Sequence, residues 1–248
     1  MSNLKKYLFI GLGLIVLGLI IAFSTETFSS KLCRDIVVNI KNGNEEFFVN
    51  QEDVKALATA QGTDILKGKY FDQIDLRQIE KRVLRNKQIK SCQVYRDLQG
   101  NLNVDVEQHL PIARIMRVDG HQMYVDADGT FFPLSERYTA RVLLLSGNYF
   151  SQVNSLKGEK GKDLLNFIKK INEDKFWKAQ FTQFSIEADQ DISIVPLLGK
   201  HIIEFGKPEE TDKKLSKLMV FYKQILPVKG WDSFSRVSVK FANQVVCE

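Results

Sequence analysis

An uncharged and strongly apolar run near the N-terminus constrains this chain more than any other feature of its sequence. From Tyr7 to Phe23 the letters YLFIGLGLIVLGLIIAF contain no charged side chain. As an α-helix this run would span roughly 25 Å, slightly less than the ~30 Å hydrocarbon core of a bilayer. Lys5 and Lys6 precede the run and can reach the lipid headgroups. We therefore predict a single transmembrane helix over residues 7–27, with the lipid bilayer as a partner.

A cleaved signal peptide is the alternative interpretation of the same run. Ala22 to Ser24 fits a small-x-small cleavage site, but the apolar core of a signal peptide is usually only ~7–15 residues long. We therefore favour an uncleaved anchor. The short lysine-bearing tail, residues 1–6, should stay in the cytoplasm because positive charge is retained on that side. The bulk of the chain is then expected outside the cytoplasm.

The composition beyond this run is that of an ordinary globular protein. Of the 248 residues 44% are hydrophobic and 26% are charged, and the net charge is +5. Basic and acidic residues alternate without forming a basic stripe, so we do not expect nucleic acid as a partner. The cysteines show neither a metal-binding spacing nor a disulfide framework, and we interpret them as small hydrophobic residues: Cys33, Cys92 and Cys247.

Residues 33–109 predict a compact unit with the order strand, helix, helix, strand, strand. Asp35 to Ile40 is rich in β-branched residues and predicts the first strand. Asn50 and Asp53 have the spacing of a helix N-terminal cap, and Asp75 can cap a second helix. The stretches KSCQVYRD and NLNVDVEQ predict two further strands, of which the second alternates apolar and polar residues.

Residues 110–248 show many short strands with two interposed helices, which predicts a larger and mostly antiparallel β domain. The chain as a whole is therefore expected to be of the α+β class. The predicted helices are KGKDLLNFIKKIN and EETDKKLSKLMVFYKQIL. The second carries an apolar stripe that we assign to core packing rather than to a partner groove: Leu215, Leu218, Met219, Tyr222, Ile225 and Leu226.

The segment QMYVDADGTFFPLS could be a metal loop, a pair of catalytic carboxylates or a turn. A calcium loop requires oxygen ligands at fixed positions, glycine at the sixth and glutamate at the twelfth. No register of Asp126 and Asp128 satisfies that spacing. A hairpin turn requires much less, since Gly129 can adopt positive φ between two strands. We therefore interpret these three residues as a structural turn.

Other catalytic chemistry finds little support in the sequence. The histidines, His109, His121 and His201, do not form a pair at zinc spacing, and there is no HExxH motif or nucleophile elbow. The serine of LLLSGN follows an apolar stretch and is better explained as the end of a strand. We expect no catalytic residue, no cofactor and no metal.

Several stretches of the chain resemble known protein families. Residues 33–109 resemble a polypeptide-transport-associated (POTRA) domain. VDVEQHLPIARI, YVDADGTFFPLS and the C-terminal SRVSVKF resemble the corresponding segments of the FtsQ/DivIB family of bacterial division proteins, and FANQVVC resembles its Bacteroidetes-type version. Two positions depart from the family pattern: Ser238 stands where aspartate is usual, and Lys240 where arginine is usual.

The resemblance implies a non-enzymatic scaffold of the inner membrane, spanning it once, at the division septum. The implied partners are FtsB (DivIC) and FtsL, and more loosely FtsK and proteins of septal peptidoglycan synthesis. Two alternatives remain open. One is a POTRA-type chaperone in protein secretion or outer-membrane assembly, and the other is a membrane-anchored periplasmic enzyme.

The C-terminal strand is the predicted partner-binding element. We expect Ser235, Val237, Val239 and Phe241 to face the domain, and the alternate residues to face solvent along an exposed sheet edge, where a partner segment can add as another strand. The basic residues would then favour an acidic partner. Alternatively, they only prevent aggregation. The candidate binding residues are Arg236, Val237, Ser238, Val239, Lys240 and Phe241.

Overall fold

The computed structural model describes residue 7 and residues 11–19, 31–42 and 48–248. Of the predicted transmembrane helix over residues 7–27, the described parts are helical, and the remainder lies outside the described residues. Within the described part of the chain, no helix has both the length and the apolar character needed to cross a membrane. The chain divides into two compact units, and the boundary in the sequence falls between Gln108 and His109.

The smaller unit has the predicted order of one strand, two helices and two strands. Its three-stranded sheet has the order β1-β3-β2, with β1 parallel and β2 antiparallel to β3. The elements are β1 (Ile36–Ile40), α1 (Gln51–Ala58), α2 (Leu76–Val83), β2 (Ile89–Arg96) and β3 (Leu102–Gln108).

Local sequence signals set the two helices of this unit. The Asn50 side chain accepts the Asp53 N–H at 2.8 Å, and the Asp53 carboxylate accepts the Asn50 N–H at 2.9 Å. This reciprocal pair satisfies two donors that the helix leaves unpaired, as predicted. Asp75 caps α2 by accepting the Gln78 N–H at 3.0 Å. The helices then pack on the sheet through a shared apolar core, which includes Val54, Ile79, Val83, Leu102, Val104 and Val106.

The larger unit, residues 109–248, is described throughout and contains one nine-stranded sheet. Its strands are β4 (Pro111–Met116), β5 (Gln122–Asp126), β6 (Phe131–Pro133), β7 (Leu143–Ser146), β8 (Phe181–Ile186), β9 (Ile192–Pro196), β10 (Ile202–Gly206), β11 (Arg236–Ser238) and β12 (Val246–Cys247). Their order is β12-β11-β10-β9-β8-β7-β4-β5-β6. The sheet is mixed: β4–β7, β7–β8 and β10–β11 are parallel, and the other neighbours are antiparallel.

The prediction of two helices in this unit is incomplete. The structure has α3 (Glu159–Glu173), α4 (Lys175–Gln180), α5 (Thr211–Val220) and α6 (Leu226–Lys229), with a π-helical turn at Phe221–Ile225 joining the last two. Asp174 begins α4, since its carboxylate accepts the N–H groups of Phe176 and Trp177 at 2.8 and 3.0 Å. A helix this short does not show the apolar period on which the prediction relied.

The core of the larger unit lies between the helices and one face of the sheet. Phe167 of α3 stacks on Phe205 of β10 at 4.4 Å and on Phe184 of β8 at 5.3 Å between ring centroids. The apolar stripe of α5 and its continuation belongs to the same core, which confirms the core-packing interpretation. Leu215, Leu218, Tyr222 and Leu226 are buried, and Met219 and Ile225 are partly buried.

Candidate functional site

The predicted partner-binding strand lies close to one end of the larger sheet, but it is not the exposed edge. On one side β11 pairs parallel with β10, where the Val239 N–H donates to the Glu204 carbonyl at 3.0 Å. On the other side β12 pairs antiparallel with β11. The prediction of a free edge at Arg236–Ser238 is therefore wrong. The chain turns back after Phe241, and VVC was too short to be recognised as a strand in the sequence.

The edge of the sheet at this end is β12 itself. The Glu248 N–H donates to the Arg236 carbonyl at 3.0 Å, and the Arg236 N–H donates to the Glu248 carbonyl at 3.2 Å. In an antiparallel ladder such hydrogen-bonded pairs alternate with pairs whose backbone groups point outward. Cys247 is opposite Val237 in one of these outward positions. Its N–H and C=O therefore face away from the sheet.

The side chains of the C-terminal strand are buried and exposed only partly as predicted. Val237 and Val239 are fully buried, and Arg236 is exposed. Ser238, however, is buried, because Glu204 of β10 and Val246 of β12 flank it. Its hydroxyl has no hydrogen-bond partner within the described residues.

Beyond Ser238 the regular strand stops, and this accounts for the remaining errors. Phe241 lies in a bend and is exposed instead of packing into the domain. Ser235 lies before the strand begins and is also exposed. The period of two used for the prediction holds only where the strand geometry persists.

The charged residues of the strand already have intramolecular partners. Arg236 lies 3.4 Å from Glu204 and 3.7 Å from Glu248 between nitrogen and carboxylate oxygen atoms, yet 54% of its side chain remains exposed. Lys240 donates to Asp191 at 2.6 Å. Lys217 of α5 donates to the carbonyls of Val239 and Phe241. The segment after β11 is therefore held by two lysines, whereas Arg236 stays accessible.

The second predicted site, the Asp126 segment, connects β5 to β6. The Asp126 N–H donates to the Thr130 carbonyl at 3.1 Å, and the Gly129 N–H donates to the Asp126 carbonyl at 3.0 Å. The Asp126 carboxylate also accepts the N–H groups of Asp128 and Thr130 at 3.0 and 2.8 Å. Gly129 has φ of +78° and lies against Leu156, whose N–H donates to the Gly129 carbonyl.

His109 is a member of this site that the sequence reasoning did not assign. Its Nδ1 lies 2.7 Å from Asp126 Oδ2, and its ring stacks on Phe132 with centroids 4.8 Å apart. Burial opposes the ionisation of Asp126, but the hydrogen bonds from His109 and from the Thr130 N–H outweigh it, so the pKa of this carboxyl lies below its ordinary value. The site is a buried acid–histidine pair that closes a turn.

Two observations define what this arrangement can do. The pair has donors and acceptors that hold the turn in place, and among the described residues no three His, Cys, Asp or Glu side chains converge to hold a metal ion. The sequence held no local signal for the His109 contact. A regular pairing of PIARIM with QMYVD would put Ile112 opposite Asp126, and only the irregularity between Pro111 and Ala113 brings Pro111 opposite Asp126 and His109 beside the turn.

Comparison with known proteins places both sites in a family context. A model described as FtsQ/DivIB, C-terminal related, matches residues 110–248, which is more than half of the chain. The chain belongs to the FtsQ/DivIB family. A POTRA-like domain model matches residues 31–107. Both the C-terminal edge and the Asp126 turn lie within the FtsQ/DivIB match.

One curated relative within the FtsQ/DivIB family is the cell division protein FtsQ of Rhodothermus marinus. It is 25% identical to this chain over 183 residues, which cover 71% of this chain and 66% of the relative. The match therefore spans slightly less than two thirds of the relative's own length. Family membership supports a role in cell division.

Proposed function

We propose that this chain is a non-enzymatic scaffold of the bacterial division machinery, anchored in the inner membrane by one helix formed from residues 7–27. The POTRA-like and larger units would lie in the periplasm at the septum. There they would link division proteins of the FtsB (DivIC) and FtsL kinds, with FtsK and septal peptidoglycan synthesis proteins as looser partners. Family membership and the uncharged run behind Lys5 and Lys6 support this proposal.

The observation that carries the partner site is the free outer side of β12. Within residues 109–248 no strand pairs with that side, and the outward N–H and C=O of Cys247 are available to an added strand. A partner segment would therefore pair with Val246–Cys247 rather than directly with Arg236–Ser238. Arg236 lies one strand further in and is still exposed, so it can favour an acidic side chain on the partner.

Proline substitutions at neighbouring positions test this partner site. Cys247→Pro removes an outward N–H, and we expect the affinity for the periplasmic segment of an FtsB-like partner to fall about 3–10-fold with little change in thermal unfolding. Val246→Pro is the matched control, because the antiparallel pairing of Val246 with Ser238 directs its N–H toward β11. Val246→Pro should therefore detach β12 from β11. Wild-type affinity of Cys247→Pro would place the partner site elsewhere.

Charge reversal tests the selection of an acidic partner. Arg236→Glu should weaken binding and reduce its dependence on salt, because an accessible cation is replaced. Lys240→Glu serves as a control, since the Lys240 side chain is less exposed than that of Arg236 (36% against 54%) and pairs more closely, with Asp191 at 2.6 Å. An equal effect of both changes would mean that the loss is structural.

The cellular proposal is tested by localisation and topology. A fluorescent protein fused before Met1 should gather at constriction sites, and a periplasm-dependent reporter placed after the larger unit should be active. A diffuse signal in dividing cells, or a soluble form beginning near Thr25, would contradict the anchored scaffold.

A further inference from the structure

A groove of about 520 Å³ lies on the smaller unit, and one of its lining residues, Lys31, follows the apolar run within a few residues of sequence. Three segments build it: the residues before β1, the stretch around Tyr70, and the turn between β2 and β3. Backbone hydrogen bonds hold the segments together. Phe71 donates to the Lys31 carbonyl at 3.2 Å, and Arg34 donates to the Gly100 carbonyl at 2.8 Å. The groove is therefore part of the fold and not an accident of side-chain placement.

The groove exposes large apolar side chains to solvent. Leu98 is 74% exposed, Leu32 is 47% exposed and Tyr70 is 46% exposed, although large apolar side chains usually gain by burial. Leu98 is at the tip of the β2–β3 turn, and the Lys31 ammonium donates to its carbonyl at 3.3 Å. A charged nitrogen thus lies directly beside the most exposed leucine of the groove.

The described residues that line the groove carry charge of one sign. They include Lys31 and Arg34 and no acidic side chain. The neighbouring acids in the sequence have partners of their own. The Asp35 carboxylate accepts the Ile36 N–H at 2.9 Å and lies 4.0 Å from the Lys67 ammonium. Asp97 accepts both the backbone and side-chain N–H groups of Asn101. Leucine and tyrosine flanked by cations are the composition of segments that contact the headgroup region of a membrane.

The position of the groove in the chain supplies the second argument. Lys31 follows Phe23 by only eight residues, and a chain of that length reaches at most roughly 30 Å even when fully extended. We propose that this groove binds the anionic phospholipid headgroups of the same bilayer that holds the apolar run. Leu98 and Tyr70 enter the interface, and Lys31 and Arg34 pair with phosphates. The inference rests on the membrane anchor of the proposed function, because the tether keeps the groove at high effective concentration beside the lipid.

A tryptophan scan with the full chain tests this contact. The protein is reconstituted into vesicles of phosphatidylethanolamine and phosphatidylglycerol (3:1) with brominated acyl chains, which quench nearby tryptophan. Leu98→Trp is compared with Leu84→Trp, an exposed position of the same unit that does not line the groove. The emission of the unsubstituted chain is subtracted. We expect at least threefold stronger quenching for Leu98→Trp, and a clear loss of that difference when Lys31→Glu and Arg34→Glu are added or when phosphatidylcholine replaces the anionic mixture.

The outcomes separate this inference from the anchor. Resistance of the unsubstituted chain to alkaline carbonate extraction establishes the anchor independently of the groove. If the chain resists extraction but Leu98→Trp is quenched no more than Leu84→Trp, the anchor stands and the lipid contact is overturned. If the chain is extracted, both the membrane anchor and the lipid contact are overturned. Shielding of Leu98→Trp only after a purified partner protein is added would assign the groove to that protein and would also overturn the lipid contact.

Discussion

Two turns with the pattern Asp-x-x-Gly, one in each unit, have nearly the same backbone geometry. The aspartate N–H donates to the carbonyl of the residue after the glycine, at 3.0 Å for Asp97 and 3.1 Å for Asp126. Each carboxylate accepts the N–H of that same residue, at 2.7 and 2.8 Å respectively. Gly100 and Gly129 have φ of +88° and +78°. The two segments therefore form the same type of turn with the same set of local hydrogen bonds.

Their surroundings differ greatly. The second carboxylate oxygen of Asp97 accepts from the nearby Asn101 side chain, whereas that of Asp126 is buried against His109, 17 residues away in the sequence. A Cβ on Gly100 would meet no atom closer than 3.4 Å, whereas one on Gly129 would lie 2.9 Å from the Leu156 backbone. The comparison shows that nearby residues determine the turn, while residues distant in the sequence determine its contribution to stability.

The glycines should show the largest difference between the two turns. Gly129→Val adds a branched side chain at positive φ and drives it into backbone atoms that cannot yield, so we expect a loss of more than about 3 kcal/mol in the free energy of unfolding. Gly100→Val suffers only the strain in φ and should lose about 1–3 kcal/mol. Urea unfolding followed by tryptophan fluorescence measures the first change, since Trp177 and Trp231 both lie in the larger unit. Hydrogen exchange of the β2–β3 amides measures the second. Equal losses of unfolding free energy in the two variants would show that the contact with Leu156 does not add to the effect of Gly129→Val.

The aspartates should differ less strongly. Asp126→Asn keeps an oxygen for the turn N–H groups but removes the charge that faces His109, and we expect a loss of about 1–3 kcal/mol. Asp97→Asn should lose less, because water can reach its carboxylate. The same unfolding measurements apply. Restoration of stability in Asp126→Asn by a second change, His109→Gln, would confirm that the loss arises at this contact.

Acidification should weaken the Asp126 turn, and it should act on both turns, because the hydrogen bond from the Asn101 N–H also lowers the pKa of Asp97. The pKa of Asp126 is lowered in the folded chain, so its stabilisation is complete above the ordinary carboxyl pKa and is lost as pH falls through the folded value. The larger unit should therefore weaken below about pH 4, and Asp126→Asn should flatten this dependence. The readout is the urea midpoint at pH 3 to 7. An unchanged pH profile in the variant would exclude Asp126 as a source of the acid sensitivity.

Asp128→Asn should have the smallest effect. Asp128 is exposed, and its backbone N–H donates to the Asp126 carboxylate. We expect a change within ~0.5 kcal/mol in the free energy of unfolding. A loss comparable to that of Asp126→Asn would mean that the second carboxylate has a role beyond shaping the turn.

The features that could be read from the sequence are those encoded within a few neighbouring residues. The caps at Asn50 and Asp75 depend on side chains that bond N–H groups three residues away. The apolar stripe of α5 follows from helical periodicity over two turns. The strand alternation in Leu102–Gln108 is equally local and is observed as alternating burial. In each case the deciding contact is short in sequence.

The features that escaped prediction depend on which strands become neighbours. The His109–Asp126 contact requires β4 to pair with β5 in one register, with an irregularity after Pro111. The burial of Ser238 requires β10 on one side and the returning tail on the other. Neither the His109–Asp126 contact nor the burial of Ser238 can be predicted from the pattern of apolar and polar residues around it. Both are created by strands that lie elsewhere in the chain.

The place of β7 in the middle of the larger sheet has a consequence for the order in which the domain folds. Both of its neighbours are parallel strands, so Leu143 must find Ala113 and Leu145 must find Phe184, each across a long intervening segment. Hairpins such as β4–β5 and β8–β9 close short loops and form quickly, whereas such distant pairings are slow. We therefore expect the sheet to assemble as separate hairpins that β7 joins late. Pulsed hydrogen exchange during refolding should find the amides of Leu143–Ser146 among the last to be protected.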